Sequence, residues 1–121
     1  RDCEFFAEPR DKAVWRLSVQ PTSAPSAIAA IKAARDVEAY YDWSGGLIWI
    51  ATSEQDDAGA AIIRQAAKNA KGYATLVRGS AALRASIDVF QPQPAPLAKL
   101  SAGIKASFDP DNILNPGLMV A

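Results

Sequence analysis

The order in which two hydrophobic periodicities alternate along the chain constrains its fold more than any other feature. Over residues 13–19, Trp15, Leu17 and Val19 alternate with Arg16 and Ser18, the two-residue period of a half-buried strand. Gln20-Pro21-Thr22-Ser23 ends it. A helical pattern follows from Ser23 or Ser26 to about Arg35, with Pro25 tolerated in its first turn and Ile28 and Ile31 as its apolar stripe. Residues 37–43 alternate again: Val37, Ala39, Tyr41 and Trp43 on one face, Glu38, Tyr40 and Asp42 on the other. Ser44-Gly45-Gly46 reads as a hairpin turn into a strand over 47–51 that is apolar on both faces and therefore central. The spacing predicts a second helix over about 56–71, capped by Ser53 or Asp56. Its core stripe is Ile62, Ile63, Ala66, Ala67 and Ala70, and Gly72 is its glycine stop. Residues 73–78 make a fourth strand, and shorter helices fall over 80–87 and 96–108, on either side of the proline-rich loop 88–94.

A β-α-β-β-α-β order predicts an α+β, ferredoxin-like split βαβ domain with C-terminal helices and a turn-rich tail. Right-handed crossovers put both helices on one face of a four-stranded antiparallel sheet and leave the other face bare. If Trp15, Leu17 and Val19 face the helices, Arg16 and Ser18 face outward, joined by Leu47 and Trp49 of the third strand. Alternation does not assign a face to Arg78. An arginine beside a tryptophan on an open sheet can hold a carboxylate or pack over a flat cofactor. The same pattern is also met by Arg16 pairing with a neighbouring carboxylate and Trp49 packing under the tail.

Composition narrows the chemistry. The chain of 121 residues has no histidine, so it cannot itself supply a Ser-His-Asp or Cys-His system or a histidine-ligated metal. Its one cysteine, Cys3, gives no disulfide or CxxC pair and reads as an unreactive thiol. Thirteen basic and thirteen acidic residues give zero formal charge, which argues against nucleic acid and anionic lipid as main partners. The charged N-terminus does not read as a signal peptide, and no run is apolar for the roughly 20 residues a membrane helix needs. Glu54, Asp56 and Asp57 fit a charged helix start better than a hard-metal site, and Gly45-Gly46 is not a phosphate loop.

The tail is more specific. Phe108-Asp109-Pro110-Asp111-Asn112-Ile113-Leu114-Asn115-Pro116-Gly117 resembles the F-D-P-x-x-I-L-N-P-G ending of FAD-linked oxidases of the vanillyl-alcohol-oxidase type. Asp-Pro stops the preceding helix and Asn-Pro-Gly makes a second rigid turn. Val14-Trp15-Arg16-Leu17-Ser18-Val19-Gln20-Pro21-Thr22 resembles the W-R-L-S-V-x-P-T segment of the glycolate oxidase FAD-binding subunit family. Asp42-Trp43-Ser44-Gly45-Gly46-Leu47-Ile48-Trp49 is similar to that family's D-W-x-G-x-x-x-W hairpin. Gly72-Tyr73-Ala74-Thr75-Leu76-Val77-Arg78 is similar to its G-x-A-T-L-x-R strand, and Val89-Phe90-Gln91-Pro92 to its V-F-x-P loop. The sequence departs at Leu118, where the family ending carries an arginine.

The resemblance implies a C-terminal domain of a larger subunit whose N-terminal domain, absent from this chain, binds FAD. It implies a complex with a sister flavin subunit and an iron–sulfur subunit, placed in the cytoplasm or at the inner face of the membrane. In such a complex the flavin takes a hydride from the α-carbon of a small 2-hydroxy acid, giving the 2-oxoacid. On that basis Arg16, Trp49 and Arg78 are expected to face substrate or flavin, and Asn115 and Gly117 to contact the flavin domain. No catalytic residue and no metal are assigned to this chain, and the chain alone is expected to bind no FAD tightly and to be inactive. The alternative from another class is a stand-alone ferredoxin-like binding or regulatory module that dimerises through its open sheet face.

Overall fold

A computed structural model describes residues 12–114. Cys3, Asn115, Gly117 and Leu118 lie outside the described residues. The elements run β1 (Lys12–Ser18), α1 (Ala24–Ala34), β2 (Glu38–Asp42), β3 (Leu47–Ser53), α2 (Ala60–Asn69), β4 (Tyr73–Arg78), α3 (Ala81–Ser86) and α4 (Ala95–Phe108). The four strands form one antiparallel sheet in the order β2-β3-β1-β4. This is the split βαβ arrangement: β1 and β3 are central, and each helical crossover skips one strand.

The core forms where the apolar side of the sheet meets the two crossover helices. Ala13, Trp15 and Leu17 of β1, Ile48 and Ile50 of β3, and Ala74 and Leu76 of β4 are buried with Ile28 and Ile31 of α1 and Ile63, Ala66 and Ala67 of α2. Leu83 of α3 joins the same cluster. Trp15 is its largest side chain. Its indole N–H donates to the Ala58 carbonyl at 3.1 Å, which ties β1 to the loop entering α2. Arg35 holds the other end of that loop. Its Nε donates to Thr52 Oγ1 at 2.8 Å, and its Nη2 donates to the carbonyls of Ser53 and Gln55, each at 2.9 Å.

Several sequence expectations shift for local reasons. Trp43, placed by alternation on the core side, is 80% exposed. The Asp42 carboxylate accepts the Trp43 N–H at 2.8 Å. The backbone then takes left-handed φ values at Trp43, Ser44 and Gly45, which end the strand one residue early. The second helix starts at Ala60 instead of 56: Gly59 takes the N-cap position with φ 75°, and the first amides are served not by Ser53 or Asp56 but by Asp57. Its two carboxylate oxygens accept from the N–H groups of Gly59 and Ala61, both at 2.8 Å. Ile62 of the expected core stripe is 37% exposed.

Gly72 is not the left-handed residue of the helix stop. Lys71 carries that conformation (φ 54°), with the Lys71 N–H bonded to Lys68 O and the Gly72 N–H bonded to Ala67 O. That pair of bonds is a Schellman closure shifted one residue from the sequence reading. Gly72 is required for a different reason. A Cβ there would lie 2.8 Å from the Val19 Cα and closer still to the Ser18 carbonyl oxygen. The turn after α2 passes directly against the end of β1, and the Gln20 N–H to Ala70 O bond of 3.2 Å fixes the crossing.

The chain divides into two compact units, Arg1–Gln91 and Pro92–Ala121. In the second, α4 begins with Pro96 in its first turn and ends at Phe108. None of its residues is buried, and Leu97, Leu100, Ile104 and Phe108 are exposed.

Candidate functional site

The strand register places one row of side chains across the sheet face opposite the helices. Tyr40 of β2 is paired with Trp49 of β3, Trp49 with Arg16 of β1, and Arg16 with Thr75 of β4. Directly opposed residues in an antiparallel sheet project from the same face with Cβ atoms about 5 Å apart. Arg16 and Trp49, chosen from alternation alone, are therefore cross-strand neighbours. Arg16 is exposed, Trp49 is half-buried, and the Arg16 guanidinium has no hydrogen-bond or ion-pair partner among the described residues.

Arg78 reaches this face through a bulge. Trp15 pairs with Leu76, but the next pair is Val14 with Arg78, so Val77 is an extra residue on β4. Without it Arg78 would share the core side with Ala74 and Leu76; with it Arg78 joins Val14 and Arg16. Its Nε donates to the Lys12 carbonyl at 3.3 Å. Lys12 in turn pairs with Glu38 across the sheet. The face is not the bare surface that the sequence suggested. Val14 and Ala51 on it are each 3% exposed, and Thr75 is 9% exposed.

The outer edge of β4 is also covered. The Leu76 N–H donates to Val89 O at 2.9 Å, the Ala74 N–H to Gln91 Oε1 at 2.9 Å, and Thr75 bridges Phe90 in antiparallel sense. Arg64 of α2 fastens this segment from behind. Its Nη2 donates to the carbonyls of Asp88 and Phe90, and its guanidinium carbon lies 5.6 Å from the Trp15 ring centroid. Burial lowers the Arg64 pKa below its ordinary value, while Asp88 and Asp57 pull it back up. No sequence signal singled out Arg64, because its partners are distant backbone carbonyls.

Glu54 and Asp57 are occupied structurally: Glu54 Oε1 accepts the Ser80 N–H at 2.7 Å, and Asp57 accepts the Gly59 and Ala61 N–H groups at the start of α2. Among the described residues no group of three potential metal ligands comes together. Gly45 and Gly46 lie in the hairpin turn. Two shallow grooves are found, one in the first unit between Ala30 of α1 and Ile62 of α2, the other in the second unit along Leu100 and Ile104 of α4.

In the second unit the Asp-Pro motif closes a turn of its own. Asp109 Oδ2 accepts from Lys105 Nζ at 2.6 Å and from the Leu114 N–H at 3.0 Å, and Oδ1 accepts from the Ile113 N–H at 2.8 Å. The Lys105 hydrogen bond, aided by the two backbone N–H groups, holds the Asp109 carboxyl below its usual value against an opposing burial effect. A depressed folded-state value means the carboxylate stabilises the turn above the unfolded value near 3.8 and releases it as pH falls through the folded value. Asp109→Asn is therefore expected to speed amide exchange at Ile113 and Leu114 at neutral pH. The parent should reach the same state only in acid. Equal exchange in both proteins at pH 7 would show that the charge does not hold the turn.

Fold and row together define a split βαβ domain that packs helices on one sheet face and displays a cation between aromatic side chains on the other. By sequence the chain is similar to the glycolate oxidase subunit GlcE of Escherichia coli (strain K12), 32% identical over 119 residues. The match covers 97% of this chain but only 28% of that relative's length. No family model matches the chain, and no solved structure matches it significantly.

Proposed function

We propose that this chain is the C-terminal domain of a flavin-linked oxidase subunit acting on a small 2-hydroxy acid, and that its open sheet face forms a lid or interface against the flavin-binding part. The exposed Arg16 guanidinium beside Trp49, given no hydrogen bond or ion pair by the described residues, carries the reading; the similarity to a glycolate oxidase subunit supports it. Ligand sites enclose most of a ligand's surface, and one open sheet face supplies only half an enclosure. The residues described do not fit a whole FAD. They offer no glycine-rich phosphate cradle, and the groove of the first unit lies between α1 and α2, on the helix side of the sheet. In this reading FAD is held by a flavin-binding part outside this chain. The other partners are a sister flavin subunit and an iron–sulfur subunit, in the cytoplasm or at the inner membrane face. No described helix is long and apolar enough to cross a membrane.

In this reading Arg16 holds the acid's carboxylate through paired N–H donors. Arg78, on the same face, adds positive potential. Trp49 and Tyr40 give flat surface that excludes water once the opposing part closes. Asn115 and Gly117 would carry the tail onto the flavin-binding part. The experiment is Arg16→Ala in the full-length complex. Loss of a charged hydrogen bond costs about 1.5–3 kcal/mol, so KM for the acid should rise about tenfold or more. Unchanged KM and kcat would remove Arg16 from the site.

A further inference from the structure

Helix α4 turns apolar side chains outward, and the described residues do not cover them. The helices α1, α2 and α3 each bury part of their length; α4, the longest of the described helices at 14 residues, buries none. Leu97, Leu100, Ile104 and Phe108 are exposed. They recur at intervals of three and four residues, the spacing that lines side chains along one side of a helix. Beside this stripe runs the groove lined by Pro96, Lys99, Leu100, Gly103, Ile104 and Ser107. These positions make two overlapping sets at the spacing i, i+3, i+4, i+7. The first is Pro96, Lys99, Leu100 and Gly103; the second is Leu100, Gly103, Ile104 and Ser107. Four residues so spaced form the hole that takes one side chain of a facing helix. Gly103 belongs to both holes. Nothing lies within 4 Å of a Cβ placed on it, so no described contact of this chain requires a glycine there, and glycine is among the weakest helix formers. A helix approaching from outside is the contact that uses the missing side chain.

The charge around the groove narrows the partner. Lys99 stands on its rim, exposed and given no ion pair by the described residues. Lys105 is taken by Asp109. No described helix of this chain contains an Asp or a Glu, so neither another of these helices nor α4 of a second copy brings Lys99 a carboxylate. The match to the glycolate oxidase subunit covers 28% of that relative's length, so a polypeptide of that kind carries most of its residues outside this region. A helix on the same polypeptide meets α4 at the high effective concentration of an intramolecular contact. We propose that α4 docks a helix of the flavin-binding part of the same subunit, one that sets two apolar side chains into the holes at Gly103 and a carboxylate against Lys99. The inference rests on the reading of this chain as one domain of a flavin-linked subunit, and it uses neither Arg16 nor the sheet face.

The test uses the full-length complex. Carbodiimide cross-linking joins a lysine to a carboxylate in contact with it, and peptide mass spectrometry is expected to find Lys99 linked to an Asp or Glu in a helix of the flavin-binding part. Gly103→Leu fills both holes. An undocked α4 gains helix propensity from this change, and its amides then exchange more slowly with solvent. A docked α4 is pushed off its partner, and exchange over residues 100–108 should speed about tenfold or more. The sign of the change separates the two states. Lys99→Glu, a surface change, should speed the same amides by up to about fivefold, the worth of one exposed ion pair; it also serves if Gly103→Leu fails to assemble. Slower or unchanged exchange in Gly103→Leu overturns the docking. A missing Lys99 link together with unchanged exchange in Lys99→Glu overturns the carboxylate. A Lys99 link to the sister subunit, the iron–sulfur subunit or another residue of this chain overturns the choice of partner. A full-length subunit that shows the link within its own polypeptide and the faster exchange, yet binds no FAD, keeps the docking and overturns the flavin reading instead.

Discussion

Gly72→Ala is expected to destabilise the domain by about 3 kcal/mol, a large share of the 5–15 kcal/mol typical of a single domain. The added methyl has no room. It would meet the Val19 Cα at 2.8 Å and press harder on the Ser18 carbonyl oxygen. Both are backbone atoms of the central strand's end, so no rotamer change relieves the contact. Relief requires the α2–β4 turn to lift from β1, which breaks the Gln20 N–H to Ala70 O bond. Denaturant unfolding should show a lower midpoint with the slope kept. Gly103→Ala is the control. Nothing lies within 4 Å of a Cβ at Gly103, and alanine there should gain about 0.5–1 kcal/mol from helix propensity. If the two variants melt alike, the close approach at Gly72 is wrong.

Trp15→Ala is expected to cost about 3–5 kcal/mol, the range for emptying a buried aromatic site. The side chain is fully buried at the centre of the sheet's helix side, and it does three things at once. It fills the space between α2 and the sheet, donates to Ala58 O, and gives Arg64 a ring to lie over. Trp15→Phe separates these parts. A six-membered ring stays while the pyrrole part and its N–H go, so the loss should fall to about 1–3 kcal/mol, from the unpaired Ala58 carbonyl and a smaller cavity together. Thermal unfolding of the three proteins gives the comparison. A Phe variant as weak as the Ala variant would mean that the Ala58 bond, and not packing, dominates.

The sequence made the strand order legible because each strand writes its period in single residues. Trp15 and Leu17 against Arg16, and Ile48 and Ile50 against Trp49, fix which side faces the helices. That was enough to bring Arg16 and Trp49 together before any coordinates. Arg78 was not legible, because one bulge residue, Val77, reverses its face, and a bulge belongs to the pairing of two strands. Trp43 misled because its apolar character fits the alternation, while a carboxylate one residue earlier breaks the strand. Arg64 acts through backbone carbonyls, and Arg35 and Asp109 act largely through backbone groups, which every residue has, so no pattern of residue types marks most of their partners. Phe90 was visible only within a resembling loop, with nothing to show that it stands beside Thr75.

The covered margin of β4 has a consequence for how copies of this domain can meet. With residues 88–91 already laid along it, an incoming strand finds no ladder to join there. Among the described residues the opposite margin is β2, five residues long with Glu38 and Asp42 near its ends. A sheet that can grow at one margin only can join a single neighbour and then stops. Endless ribbons need two growing margins, so the segment that places Phe90 also confines any edge-to-edge association of the sheet to pairs.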